Sequence, residues 1–123
     1  MTLYTSPCTG DAKNNLYAQK IVITDEESLR RAVCHDYVAA EYTDGRRAKE
    51  RFLRSDCLAM DCDNDHSEQP ADWVTPDDVA YSFPGVAFAV HYSRNHEKEK
   101  HGRSARPRFH VLFPIEQISD AEE

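Results

Sequence analysis

Residues 57–63 read Cys57-Leu58-Ala59-Met60-Asp61-Cys62-Asp63, and their alternation decides the fold. Leu58, Met60 and Cys62 fall on one face of an extended chain, and Ala59, Asp61 and Asp63 on the other, because successive strand side chains point to opposite sides. Two later segments repeat the design. Residues 86–92 set Val86, Phe88 and Val90 against Ala87, Ala89 and His91, and residues 108–113 set Phe109, Val111 and Phe113 against Arg108 and His110. Strands with one bulky apolar face and one small or polar face assemble as an antiparallel sheet with helices on the apolar side. The expected class is therefore α+β, an antiparallel sheet with helices packed on one face and the functional groups on the uncovered one.

Working outward, residues 20–23 form a short apolar run that reads as a strand. Thr24 with Glu27 makes a capping box, opening a helix whose stripe of Leu29, Val33 and Val38, with Ala32 and Tyr37 alongside, runs to about residue 40. After a turn at Asp44-Gly45, residues 46–54 read as a second, short helix, basic apart from Glu50 and anchored by Phe52 and Leu53. Thr75-Pro76 is a capping residue followed by a first-turn proline, so a helix starts there and runs to about Tyr81. Residues 1–19 carry turn signals at Ser6-Pro7, Thr9-Gly10-Asp11 and Asn14-Asn15, and no element is assigned to them. Ser119 with Glu122 announces a further helix at the end of the sequence. The expectation is a single domain over residues 1–123, cut short at its C-terminal side, with its motifs in a core of about 50–115.

A length of 123 residues suits one domain with one modest core. Apolar residues at 40% and charged residues at 30% exclude a disordered tail. No apolar run approaches the ~20 residues of a membrane span, and no signal-peptide pattern opens the chain. The expected location is the cytoplasm, with no membrane partner. Cys8, Cys34, Cys57 and Cys62 form no CxxC pair and are expected as reduced, mostly buried thiols. The net charge of −7 is unevenly spread. Residues 61–78 hold seven acids and no Lys or Arg, whereas residues 91–110 hold six bases against Glu97 and Glu99. Partners feel the local field within a Debye length of about 8–10 Å. An acidic segment followed by a basic one suits metal-assisted chemistry on phosphates, although two solvated loops of opposite sign would give the same pattern.

Asp61 and Asp63, two apart on a strand, project from one face with Cα atoms about 6.5 Å apart. Such carboxylates can hold one or two Mg²⁺ or Mn²⁺ ions, hard cations that prefer oxygen. A calcium-loop count is also possible, with Asp61, Asp63, Asp65 and Asp72 at positions 1, 3, 5 and 12, but His66 stands where the sharp turn needs glycine. In the second half, Ser104-Ala105-Arg106-Pro107-Arg108-Phe109-His110-Val111 leads a polar segment into a strand. There His110 is placed to donate to a phosphate, and Ser104, Arg106 and Arg108 to add phosphate contacts.

These two segments together resemble the archaeo-eukaryotic primase and primase-polymerase superfamily. Its first motif is an apolar strand ending in Asp-x-Asp, matched by Leu58-Ala59-Met60-Asp61-Cys62-Asp63; its second is a Ser-to-His step into an apolar strand, matched by Ser104 through His110. The chain also looks like primase domains of phages, plasmids and integrated mobile elements, through Asp63-Asn64, Ser93-Arg94-Asn95-His96 and Arg106-Pro107-Arg108-Phe109-His110-Val111. The resemblance covers residues 50–115. It implies an incomplete primase-polymerase catalytic core with a nucleotidyltransferase activity. That activity is template-directed nucleotidyl transfer from nucleoside triphosphates onto a primer on a DNA template, in DNA replication of a mobile element, next to a helicase. Asp61 and Asp63 would hold the divalent metal, and His110, with Asp61 and Asp63 the catalytic set, would contact the triphosphate. Arg94, His96, Lys98, Lys100 and Arg103 would contact nucleic acid in a salt-sensitive way. Ser93 and His96 are a rival placement of the second motif. The superfamily's third acidic residue, on a later strand, has no counterpart after Phe113, where Glu116, Asp120, Glu122 and Glu123 fall in an expected loop and helix start. A metal-dependent nuclease and a non-catalytic nucleic-acid-binding domain remain as alternatives.

Overall fold

The computed structural model describes residues 1–120; Glu122, and with it the expected capping box of Ser119, lies outside them. In chain order the elements are β1 (Thr2–Thr5), β2 (Gln19–Val22), α1 (Glu26–Val33), β3 (Tyr37–Val38), β4 (Ala40–Tyr42), β5 (Phe52–Cys62), α2 (Pro76–Ser82), β6 (Ala89–Tyr92) and β7 (Phe109–Ile118). Two sheets form, with strand orders β2-β1-β3 and β4-β5-β7-β6. The pairs β1/β2, β1/β3, β4/β5 and β6/β7 are antiparallel. The class is α+β with antiparallel sheets and two helices. The chain divides into two compact units, residues 1–58 with those from 114 on, and residues 59–113.

In the first unit, β1 is buried along its whole length between β2 and β3, with Leu3 opposite Ile21 and Tyr4 opposite Val38. Tyr4, Tyr17 and Val38 form a core to which Tyr42 adds its ring. The helix expected to reach residue 40 stops at Val33, with Cys34 as its C-cap. Beyond it the backbone is claimed by distant partners. Asp36 N–H donates to Cys8 carbonyl (2.9 Å), Ser6 N–H donates to Asp36 carbonyl (3.0 Å), and the Asp36 carboxylate accepts from the backbone of Gly10 and Asp11. The cap is also one residue later than expected: Asp25 accepts from Ser28 N–H (2.8 Å), and Ser28 Oγ accepts from Asp25 N–H (3.1 Å).

Residues 46–54 are not the expected helix. Asp44 and Gly45 take left-handed backbone (φ 57° and 72°), and a Cβ on Gly45 would come within 3.1 Å of Ala18 Cα, so the turn there requires glycine. The chain continues through a short 3₁₀ turn at Lys49–Arg51 into β5, whose first residue pairs with Tyr42. Arg, Lys, Ala and Glu favour helix locally, but cross-strand pairing with β4 wins.

In the second unit, α2 begins as expected: Thr75 Oγ1 accepts from Asp78 N–H (3.3 Å), the Asp78 carboxylate accepts from Thr75 N–H (2.8 Å), and Pro76 occupies the first turn. Its Val79 packs with Phe109, Val111 and Phe113, joined by Met60, Cys62, Phe88 and Val90. The alternation read from the sequence therefore builds this core, each large side chain contributing about 2 kcal/mol by leaving water. Val86 is exposed and outside the strand, since β6 starts at Ala89. The opposite face is only partly uncovered: Ala59 and Asp61 on β5 are exposed, but Arg108, just before β7, and Leu112 on β7, which flank His110 on its own side of the sheet, are 0% exposed.

Candidate active site

Three adjacent strands carry one polar row. Asp61 lies next to the end of β5, His110 is the second residue of β7, and His91 on β6 is the cross-strand partner of His110. His110 Nδ1 meets Asp61 Oδ1 in close contact, with side-chain exposures of 27% and 68%. The His91 and His110 rings stack at 4.7 Å between centroids and 8° between planes. Burial, then the neighbouring His110 charge, pushes His91 down to about 4, so it is neutral at physiological pH. Facing a carboxylate with Nδ1 fixes that nitrogen as the proton donor and sets the ring orientation.

The second carboxylate is positioned through its backbone. β5 ends at Cys62, and Asn64, buried and left-handed (φ 57°), turns the chain out of the sheet just past Asp63. Asn64 Nδ2 donates to the carbonyls of Val74 (2.9 Å) and Pro107 (2.8 Å), while its Oδ1 accepts from Val74 N–H (2.7 Å). One side chain thus ties the end of β5 to the lead-in of α2 and to the segment before β7.

The two arginines of the second motif lie in this same network, both 0% exposed, where the sequence suggested guanidinium groups open to a phosphate. Arg106 uses every donor nitrogen. Its Nη1 donates to the carbonyls of Asn64 (2.7 Å) and Ser67 (2.9 Å), its Nη2 to Glu68 (2.6 Å) and Ser104 Oγ (3.2 Å), and its Nε to Ser104 carbonyl (3.1 Å). Trp73 lies against it, 5.2 Å from guanidinium carbon to ring centroid. A guanidinium has five N–H donors, so Arg106 has none left for a phosphate, and its role is internal. Arg108 differs. Its Nη1 donates to Asp63 carbonyl (3.0 Å) and Asp65 Oδ1 (2.8 Å), but Nε and Nη2 are buried without an acceptor among the described residues. Hydrogen bonding to these two arginines holds the Asp65 and Glu68 carboxyls below their usual range.

The remaining expected contacts divide. Arg94, Lys98 and Arg103 are exposed, Lys100 is half-buried and bridges to Arg103, and Arg103 lies 4.0 Å from Asp65. Ser104 Oγ donates to Glu68 (3.0 Å). His96 accepts the Arg108 N–H on its Nδ1 (3.1 Å) and stacks on Tyr92 at 4.1 Å, so of the two rival histidines it is His110 that meets an aspartate of the Asp-x-Asp pair. The calcium-loop count fails: Asp65 is taken by Arg108, and Asp72 bonds Ser67. All four cysteines are free, Cys57 buried with its thiol pushed up to about 11 by burial and Cys34 exposed.

Among the described residues no three His, Cys, Asp or Glu side chains gather as a metal cage. The Asp61 and Asp63 donor set still fits Mg²⁺ or Mn²⁺, because such ions commonly take one or two protein carboxylates and fill their other positions with water and substrate phosphate. His91 is the residue that sequence reasoning missed. Its alternation with Val90 put it on the polar face, but nothing local gives the register that stacks it on His110. No helix among the described residues is long and apolar enough to cross a membrane. No family model, no curated protein and no solved structure matches this chain.

Proposed function

We propose that this chain carries a primase-polymerase type nucleotidyl-transfer site, in which Asp61 and Asp63 hold a divalent ion and His110 contacts the triphosphate. One observation carries the reading: Asp61 and His110, distant in sequence, touch across the sheet. Asp61 orients the imidazole through Nδ1. As an imidazolium, His110 donates to Asp61 from one nitrogen and to a phosphate oxygen from the other. Arg108 holds the Asp63 backbone, which positions that carboxylate-bearing segment for the ion. A bound Mg²⁺ or Mn²⁺ would neutralise phosphate charge and activate the attacking hydroxyl. A primer on a DNA template, a neighbouring helicase and replication of a mobile element belong to the same proposal.

Two measurements on the full chain test it. Calorimetric titration with a deoxynucleoside triphosphate should show Mn²⁺-dependent binding that Asp61→Asn, Asp63→Asn and His110→Ala each weaken at least tenfold. On a labelled primer–template with Mn²⁺, extension should fall about 10²–10³-fold in Asp61→Asn. Metal-independent triphosphate binding, or binding indifferent to all three substitutions, would sink the reading. Strand cleavage in place of extension would replace it with a nuclease, and DNA binding with neither reaction would replace it with a binding domain.

A further inference from the structure

His91 has no part in the transfer chemistry proposed above, yet the fold sets it against the histidine that does. β7 lies between β5 and β6, so His110 has Asp61 on one side and His91 on the other. The β6/β7 ladder keeps one register through four pairs, Ala89–Leu112, Val90–Val111, His91–His110 and Tyr92–Phe109. Phe109 and Val111, which precede and follow His110, are buried in the core, so the strand cannot turn its polar face away. The two imidazoles meet face to face, 4.7 Å apart and 8° from parallel. His91 is half-buried and hydrogen-bonded to the Tyr92 backbone, which anchors its ring independently of His110. Burial also keeps it neutral, so the stack sets an uncharged ring, not a second cation, against His110. Asp61, by contrast, is an exposed carboxylate that meets His110 through Nδ1. That contact fixes the place of one nitrogen; the plane of the ring is set by what lies against its face.

We propose that His91 is a positioning residue for His110: its ring holds the plane of the His110 imidazole while the Asp61 carboxylate is shared with a divalent ion, so that Nε2 keeps one direction toward the triphosphate. The inference rests on the nucleotidyl-transfer reading and adds a residue to it. In that reading Asp61 has two duties, to the ion and to Nδ1. A bound cation is the largest local charge, and the oxygen charge it draws is the same charge that holds the imidazole. Parallel ring contacts need no ligand and no net charge, so the stack persists when the carboxylate turns. A neighbour of similar volume without a flat face would fill the site and leave the ring plane unset. That separates positioning from packing.

Two measurements on the full chain test it. In the ion-free protein, ¹³C relaxation of the His110 ring reports its order on the ps–ns timescale. The ring should stay ordered in Asp61→Ala and become mobile when His91→Leu or His91→Gln is added, whereas adding His91→Phe should keep it ordered. Calorimetric titration with a deoxynucleoside triphosphate and Mn²⁺ should give binding about threefold to tenfold weaker in His91→Leu and His91→Gln, the span of one aromatic pair's contribution. His91→Phe should bind within about twofold of the parent. In a His110→Ala background the His91 substitutions should have no further effect, a result that a merely structural His91 would not give. Equal loss in His91→Phe and His91→Leu, a His91→Leu effect that persists without His110, or an ordered ring in Asp61→Ala with His91→Leu would overturn the proposal and leave the transfer reading standing. A parent that binds no triphosphate with Mn²⁺, or loses nothing in His110→Ala, defeats the transfer reading and the positioning role with it, and the stack is then a packing contact.

Discussion

Two polar groups of the second unit, built from neighbouring residues, are in opposite physical states. The Asn64–Arg106 network is buried and saturated: each donor nitrogen of Arg106 has an acceptor, and Asn64 bridges three chain segments. The Asp61–His110–His91 row is partly open, and one of its members is held neutral by burial. Both are strings of charged and polar side chains in the sequence. The difference lies in exposure. A buried, saturated group maintains the fold, and a partly exposed one can exchange its partner for a ligand.

The sharpest way to break that contrast is at Arg106. Replacing it with methionine keeps its bulk but strands the carbonyls of Asn64 and Ser67, so stability should fall by about 3–5 kcal/mol, read as a drop in urea midpoint. A loss under about 1 kcal/mol would mean that the network is no more structural than the row. Next in size, Asn64→Ala removes three side-chain bonds and places a β-carbon residue less suited to left-handed backbone there, for an expected loss of about 2–3 kcal/mol.

What could be read in advance follows the range of the interactions. The core strands at residues 57–63 and 108–113 were legible because alternation is local, and α2 because Thr75-Pro76 is a local signal. β1 was not: its burial depends on β2 and β3 arriving from both sides. The helix expected through residue 40 failed because Asp36 is held by Ser6, Cys8, Gly10 and Asp11, all distant in sequence. At the site, the facing of Asp61 and His110 was legible, but which charged groups are buried was not. Arg106 and Arg94 look alike in a sequence; one is sealed against Trp73 and Glu68 and the other is exposed.

A smaller effect should appear with pH. His91 has its folded pKa lowered to about 4 from an ordinary value near 6.5, so between these values the unfolded chain binds more protons than the folded one. Its contribution is present in full above about 6.5 and is lost as pH falls toward 4. Asp65 and Glu68, whose folded pKa values are also lowered, lose theirs only at more acid pH, where carboxylates take up protons. Unfolding midpoints measured at pH 7.5, 6 and 5 should therefore decline, and His91→Phe, which keeps a ring for the stack but cannot titrate, should flatten the decline. An unchanged slope in His91→Phe would mean that the ring is not the group responsible.

The smallest expected change in stability belongs to Asp61, and that makes it the most informative. Its carboxylate is 68% exposed even while touching His110, and exposed ion pairs contribute about 0–1 kcal/mol. Asp61→Asn retains the side chain's size and leaves an amide oxygen for His110 Nδ1, so urea unfolding should match the parent within about 0.5 kcal/mol. The same substitution removes the anionic oxygens that a divalent ion requires. A residue placed to serve the fold cannot lose its charge without a stability penalty; one placed to serve a ligand can. If Asp61→Asn unfolds as early as Asn64→Ala, the aspartate–histidine contact belongs with the arginine network as part of the scaffold, and the row has no chemistry to perform.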